Sequence, residues 1–296
     1  MLDLEDLRTF VEVADAGGVS PAARRLGISK SIVSRRLARL EEALGVQLIA
    51  RTTRGATPTE AGATFREHAG RIVAEIDVAR EAISPAGDVR GRLRIAAPLS
   101  FGPTHLAPVL AEFARRHPLL HVHAAYSDRF VDLVGEGFDA GVRLGFLPDS
   151  SLVARRICPI SGRFVASPGY VAARGAPQTP DDLLSHEALM QGTEAWRLVD
   201  RGKTIVLRPR GRFKADNGAA LLAAALAGLG VAALPDFLIE AHVTSGALTT
   251  VLDNYPPPEA GMFIVRPAGG FLPRKIEALT DILFEHFAPG KMPSGS

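Results

Sequence analysis

Residues 20–62 read SPAARRLGISKSIVSRRLARLEEALGVQLIARTTRGATPTEAG. The stretch divides into two short helices joined by a tight turn, a small hairpin, and the start of a longer helix. Ser20 is a good N-cap, and Pro21 sits where a first helical turn tolerates it. Gly27 stands where a helix end favours a left-handed residue. Ser29 caps the next helix, in which Val33, Leu37, Leu40 and Leu44 make one apolar face. At about 100° per residue, Ser31, Ser34, Arg35 and Ala38 fall on the opposite face. Short hydroxyls and an arginine near such a helix start suit a DNA major groove, where serine reaches phosphates or base edges and arginine bonds guanine bidentately.

Charge agrees with this reading. Between Arg24 and Arg54 the bases are Arg24, Arg25, Lys30, Arg35, Arg36, Arg39, Arg51 and Arg54, against the acids Glu41 and Glu42, in a chain of formal net charge +2. A patch this concentrated on a nearly neutral chain points to a polyanionic partner. The rival reading is a solvated helical bundle with surface arginines; the coincidence of caps, turn glycine and basic face argues against it.

Outward from this segment, Leu4, Leu7, Val11 and Ala14 stripe a first helix, with Phe10 at its edge and Gly17-Gly18 at its end. Residues Gln47–Arg51 and Ala56-Thr57 can pair as a wing with Gly55 in its turn. Arg51 and Arg54 would there meet phosphates or a minor groove. The DNA-facing set is thus Ser29, Lys30, Ser31, Ser34, Arg35, Arg36, Arg39, Arg51 and Arg54. Thr59 caps a helix running to about Ile83. On it Phe65, Ala69, Ile72, Ile76, Ala79 and Ile83 form a heptad seam that needs a partner helix or its own domain to cover it. Pro85, Gly87 and Gly91 mark a hinge.

From residue 7 to residue 62 the chain resembles the N-terminal winged helix-turn-helix of the LysR-type transcriptional regulators. The resemblance is carried by Ala22-Ala23, Val33-Ser34-Arg35, Leu40-Glu41-Glu42-Ala43-Leu44-Gly45, Arg51, Arg54 and Thr59-Glu60-Ala61-Gly62. Lys30 replaces a commoner Gln and Pro58 a commoner Leu. The family favours an antiparallel linker-helix dimer built on Phe65, Ile72, Ile76, Ala79 and Ile83.

Beyond Arg92 the periodicity changes. Strands are expected at 93–97, 120–125, 138–144, 153–157, 163–166, 231–234 and 261–265. Helices are expected at 103–116, 130–136, 216–227, 235–243 and 273–287. Such alternation implies βαβ units and a mostly parallel sheet. The segments GRLRIAAPLSFG, FARRHP, SDRFVDLVGEGFDAGVRLG, LPDSSLVARR, ADNGAALLAAALAGLGVAALPDFL and LPRKIEAL resemble the same family's effector-binding domain. That resemblance implies two α/β lobes arranged like a periplasmic binding protein.

The expected fold is therefore α/β with a helix-rich winged helix-turn-helix (1–58), a linker helix and hinge (59–90), and a two-lobed effector domain (91–296). Lobe 1 would hold about 91–161 and 266–288, and lobe 2 about 162–265. The tail PGKMPSGS is expected to be disordered.

Open α/β sheets bind ligands beyond the carboxyl ends of their strands. Two such places are visible: the loop Ala97–Gly102 and the helix start at Asn217-Gly218, both suited to an anion. Ser100 adds a hydroxyl. Arg143 can pair with a ligand carboxylate, or equally with Asp128 or Asp139. Asp216 reads best as an N-cap. With Phe101 and Phe146 near, a small organic acid, aromatic in character, is the expected effector, held by Ser100, Phe101, Arg143, Phe146 and Asn217.

Other chemistries find no support. There is no P-loop, no GxSxG and no HExxH. Gly228-x-Gly230 follows a helix rather than a strand, so it is no dinucleotide fingerprint. His121 and His123 share a strand face without a third ligand at suitable spacing, so no metal is expected. No cofactor is implied, and the chain does not read as an enzyme. Trp196 reads as core or effector-lobe surface. The rival functions are a solute-binding protein built on 91–287 and an enzyme in the α/β cleft. The basic N-terminal module argues against the first, and the missing acid/base or nucleophile pair against the second.

The opening MLDLEDLR lacks the basic start of a signal peptide. The most apolar run, AALLAAALAGLGVAAL, is short, broken by Gly228 and Gly230, and reads as a buried helix running into a strand, not a membrane span. Cys158 is the only cysteine, which fits the cytoplasm, and its apolar neighbours suggest a buried structural thiol rather than a redox sensor. The whole reads as a cytoplasmic, sequence-specific transcription regulator. Its expected partners are double-stranded operator DNA, a small-molecule effector and further copies of itself as a dimer of dimers, with RNA polymerase a candidate and no membrane.

Overall fold

A computed structural model describes residues 2–52, 55–83, 88–192, 195–269 and 272–288. Arg54, Pro85, Gly87, the tail PGKMPSGS, and the side chains of Arg51 and Ile83 lie outside the described part. The chain divides into two compact units, which are taken separately.

The first unit opens with α1, Leu4–Ala16, capped by Asp3 and ended by Gly17 at φ 68°. Helix α2, Val19–Leu26, follows at once with Gly18 as N-cap. Ser20 therefore lies inside its first turn, because the glycine pair completes the reversal in two residues. Helix α3, Lys30–Leu44, is capped by Ser29 Oγ, which accepts from the Ile32 amide at 3.3 Å. Val33, Leu37 and Leu40 are buried with Leu7, Phe10, Ala22, Ala23 and Leu48 in one core.

Strands β1, Ile49–Thr52, and β2, Gly55–Pro58, pair antiparallel from Ile49↔Pro58 to Thr52↔Gly55. Gly55 is thus the last ladder residue rather than a turn residue. Glu41 ties the wing to α3: its Oε1 accepts from the amides of Leu48 at 2.8 Å and Ile49 at 3.0 Å. Helix α4, Glu60–Ile83, is capped by Thr59, whose Oγ1 accepts from the Gly62 amide at 3.0 Å. Its first turn presses on the wing. A Cβ at Gly62 would lie 1.9 Å from the Leu48 carbonyl oxygen.

The seam on α4 divides. Phe65 packs on Phe10 with ring centroids 5.5 Å apart, and Ala69 is fully buried in the unit's own core. These two seam positions are covered within the chain. Further along, Val73 packs against the same core, Ile72 is 47% exposed, Ile76 is half-buried and Ala79 is exposed.

The second unit begins with β3, Gly91–Ala97, then a π-turn at Gly102–Leu106 running into α5, Ala107–Arg116. Strands β4, Leu120–Tyr126, β5, Ala140–Gly145, and β6, Val153–Ile160, follow. Then come β7, Gly162–Ala166, α6, Pro168–Arg174, and β8, Ala188–Gln191. A hairpin of β9, Trp196–Asp200, and β10, Lys203–Leu207, precedes β11, Phe213–Ala215. The chain continues with α7, Gly218–Leu226, β12, Val231–Pro235, α8, Asp236–Thr244, and β13, Thr249–Val251. It closes with β14, Ala260–Arg266, and α9, Arg274–Phe287.

Two five-stranded sheets make two lobes, ordered β4-β3-β5-β14-β6 and β11-β8-β12-β7-β13. Neither is mostly parallel. β3 pairs parallel with β4 and β5, whereas β14 runs antiparallel to both β5 and β6. In the second sheet β8 is parallel to β11 and β12, and β7 is antiparallel to β12 and β13. A strand returning from the other lobe enters from the opposite end, which reverses its direction. This also moves β14 into the first lobe, so 260–265 does not belong to lobe 2 as its position in the chain suggested.

The expected helix at 130–136 is a series of turns instead. Phe138 donates its amide to the Leu133 carbonyl at 2.8 Å, and Gly137 sits at φ 68°. Val131, Leu133 and Phe138 are buried together at a spacing that matches no helical stripe. The apolar run at 219–234 resolves into α7 and β12, and no described helix is long and apolar enough to cross a membrane. Trp196 is core, tilted against Phe164 with centroids 5.3 Å apart. Cys158 is 2% exposed, and burial pushes its thiol up to about 11.

Candidate nucleic-acid interface and interlobe cleft

Helix α3 presents two kinds of base. Lys30, Ser31 and Arg35 are exposed on its amino-terminal face, with Ser34 half-buried beside them. Ser29 Oγ and Ser31 Oγ lie 2.8 Å apart, so both hydroxyls stay at the helix start. Lys30 and Arg35 have no carboxylate partner among the described residues.

Arg36 and Arg39 differ. Arg36 Nη1 donates to Glu5 at 3.1 Å and to Thr9 Oγ1 at 3.3 Å. Arg39 donates through Nε and Nη2 to Asp6, at 2.6 Å and 2.5 Å, and Asp6 is only 2% exposed. Both guanidiniums therefore brace α3 against α1 rather than standing free as Arg35 does among the described residues. The counter-charges Glu5 and Asp6 fall outside the basic window 24–54, and the opening MLDLED was the signal for them.

In the second unit a cleft of about 590 Å³ lies between the lobes, lined among others by Ser100, Asp128, Phe130, Arg143, Phe146 and Gln191. The carboxyl ends of β3 and β5 supply Ser100 and Arg143, and β8 supplies Gln191. The two helix-start loops do converge: a Cβ on Gly218 would lie 3.9 Å from Ser100 Cβ.

Arg143 pairs with neither Asp128 nor Asp139. Asp139 instead accepts from the Arg94 amide and from Lys275 Nζ, each at 2.7 Å. The Arg143 guanidinium sits 4.0 Å above the Phe130 ring and donates to the Val131 carbonyl at 3.3 Å. Burial lowers its pKa, yet an arginine stays charged at any physiological pH. The cleft therefore holds a stacked cation with no carboxylate among the described residues paired to it.

Two of the expected ligand residues sit elsewhere. Phe101 is fully buried against His105, Phe237 and Phe287, with centroids 5.1, 5.1 and 5.6 Å away. Its ring belongs to the lobe core. Asn217 does not line the cleft either. It caps α7, accepting from the amides of Ala219 at 2.8 Å and Ala220 at 3.1 Å, a role the sequence suggested for Asp216. Its Nδ2 also donates to Asp128, whose other oxygen accepts from the Leu99 amide at 2.9 Å. Asp128 thus joins the β3 loop of one lobe to the α7 cap of the other. Phe130 and Gln191 were not singled out from sequence; an aromatic beside a lone cleft arginine was the available signal for the first.

His121 and His123 are both exposed on β4, and among the described residues no three His, Cys, Asp or Glu gather as metal ligands.

Residues 4–63 match the bacterial regulatory helix-turn-helix protein, lysR family, and residues 86–288 match the LysR substrate binding domain. The transcriptional regulator PtxR of Pseudomonas aeruginosa is 35% identical over 290 residues, 96% of this chain and 93% of that protein. CrgA of Neisseria meningitidis is 34% identical over 254 residues, 84% of each chain. The solved structure of CrgA superposes with a TM-score of 0.59 at 30% identity, covering 97% of this chain and 100% of that one. The full-length Vibrio cholerae activator AphB gives 0.60 at 27%, with the same coverage. These relatives are transcriptional regulators, a family of non-enzymes. The chain belongs to the LysR-type family: it is a DNA-binding transcription regulator that carries a substrate-binding domain.

Proposed function

We propose that the chain reads a specific operator through the amino-terminal face of α3 and answers to a small organic acid in the interlobe cleft. Lys30, Ser31, Ser34 and Arg35 face the major groove, with Ser29 fixing the helix start. The observation that supports the DNA reading is the division among the arginines: Arg35 is free, while Arg36 and Arg39 are held by α1. An operator selected from random duplexes tests it. Arg35→Ala is expected to cost about 1–3 kcal/mol on the matched site and much less on mismatched sites. Arg36→Ala should instead lower the thermal midpoint, with little change in sequence preference. The reverse pattern would show that the wrong arginine has been assigned to the bases.

The single observation behind the effector is Arg143, a charge stacked on Phe130 in a largely apolar cleft. A carboxylate there gains a charge-assisted bond, and Phe146, 58% exposed at the same cleft, offers a flat apolar wall. Ser100 and Gln191 supply further polar contacts. A panel of small organic acids, read by thermal shift on the full chain, should include one that stabilises it. Arg143→Ala is expected to weaken that acid at least about 30-fold, the loss of one charge-assisted bond of about 2 kcal/mol. An unchanged half-maximal concentration would remove Arg143 from the site.

Two copies would pair along α4 through Ile72, Ile76 and Ala79, with Ile83 at the end of the same seam, and two such dimers would engage two half-sites. Effector binding can shift that assembly only by its differential affinity for two arrangements. Operator DNA as partner, together with the single buried thiol, supports a cytoplasmic location, where RNA polymerase is the further candidate partner.

A further inference from the structure

Residues 197–214 read RLVDRGKTIVLRPRGRFK, with seven bases against the single acid Asp200. The excess equals that of the whole helix-turn-helix window, yet this segment lies in the substrate-binding domain. All seven bases are exposed.

Its second half is a comb. Arg208, Arg210, Arg212 and Lys214 point outward, while Pro209 is buried and Gly211, Phe213 and Ala215 are half-buried between them. Alternation of this kind means extended backbone with one face on the protein. The backbone is held in place. The Arg210 carbonyl accepts from the Ala188 amide at 2.9 Å, and a Cβ on Gly211 would lie 1.7 Å from the Ala188 oxygen. Phe213–Ala215 then pairs with β8. Lys214 lies on β11, and Arg208, Arg210 and Arg212 lie on the segment that leads into it.

Several other bases of the same domain are paired: Arg116 with Glu112 and Glu285, Arg163 with Asp236 and Glu240, Lys275 with Asp139. Arg208, Arg210 and Arg212 have no carboxylate partner for their side chains among the described residues. The nearby acid Glu187 accepts from the Arg212 backbone amide at 3.3 Å.

We propose that this comb is a second DNA-contacting surface, which grips the phosphate backbone without reading sequence. A row of exposed guanidiniums on a segment anchored to the protein suits a polyanion. Protein partners favour apolar anchors, and between 208 and 214 no large apolar side chain is exposed. The chain already binds DNA through its other domain, so a weak phosphate contact acts at high effective concentration. The inference rests on the chain's DNA-binding role and not on which α3 residues face the bases.

The test measures affinity for operator duplex with long flanks between 50 and 200 mM salt, using the full chain. The variant Arg208→Ser, Arg210→Ser, Arg212→Ser, Lys214→Ser should lower the slope of log affinity against log salt by about 2–4 and lose about tenfold or more in affinity at low salt. Arg208→Lys, Arg210→Lys, Arg212→Lys should keep both. An unchanged thermal midpoint checks the fold. If the multiple variant fails to fold, the single change Arg210→Gln serves, with a slope lower by about 0.9 for the one phosphate it releases. A serine variant with native slope and affinity overturns the proposal. So does a fall in oligomer mass at unchanged slope, which would assign the comb to the interface between copies. Arg35→Ala, measured alongside, separates this result from the α3 assignment, because it alters preference between sites and leaves the comb's contribution to the slope intact.

Discussion

Ile76→Asp is expected to leave a monomer that binds operator about 100-fold or more weakly than the native chain. Two tethered reading heads gain effective concentration that one head lacks, and that gain commonly amounts to two to four orders of magnitude. Ile76 is the choice because the seam divides before it. Phe65 and Ala69 are covered by the unit's own core, and Val73 packs on that core from the neighbouring helical position. Ile72, one turn before Ile76, is 47% exposed. From Ile72 onward the stripe is less covered by its own domain than at Phe65 and Ala69: Ile72 and Ala79 are exposed and Ile76 is half-buried. A carboxylate at 76 would have to be desolvated in any helix pairing, at several kcal/mol. Light scattering reads the mass and a mobility shift reads the affinity. Native mass together with native affinity would place the seam within its own chain.

Gly62→Ala is expected to unfold the N-terminal unit or cost it about 3 kcal/mol, a large share of a small domain's stability. The added Cβ would stand 1.9 Å from the Leu48 oxygen and 2.9 Å from its carbonyl carbon. Leu48 cannot retreat. Its amide is held by Glu41 at 2.8 Å, and its carbonyl accepts from the Thr59 amide at 2.9 Å. Movement would break the anchor of the wing and the cap of α4 together. Gly70 on the same helix is the control, since a Cβ there meets nothing within 4 Å. Gly70→Ala should be neutral or stabilising by up to about 1 kcal/mol. Thermal unfolding followed by circular dichroism compares the two, and equal midpoints would contradict the steric account.

Much of the N-terminal unit was legible because its signals are local. Gly17, Gly27 and Ser29 act within a turn of themselves, and the Val33-Leu37-Leu40 stripe reports burial directly. What stayed hidden depends on contact between distant segments. The spacing of Phe65 and Ala69 declares an apolar face but not whether Phe10 or another chain covers it. Arg36 and Arg39 look like their neighbour Arg35 until α1 brings Glu5 and Asp6 beside them. In the cleft, Arg143 and Ser100 stood out as polar groups at strand ends. Phe101 and Asn217 were misplaced by a single residue step: adjacent side chains on a loop point to opposite sides, so Ser100 faces the cleft while Phe101 enters the core. Asn217 rather than Asp216 caps α7 for the same reason, and its amide can serve the helix and Asp128 at once, which a carboxylate cannot do.

The place of β14 carries a consequence for how the chain comes to be folded. In the first lobe's sheet, β6 touches the rest only through β14, although a whole second lobe separates them in sequence. As the chain leaves the ribosome, β3, β4 and β5 can assemble, but β6 emerges with no edge to join. The second lobe's strands, all between residues 162 and 251, are complete before β14 exists. Domains tend to fold as they emerge, so the later lobe has its full set of strands first. The earlier lobe closes only when residues 260–266 arrive and α9 seals them in, and until then its core stays open to water and to other chains.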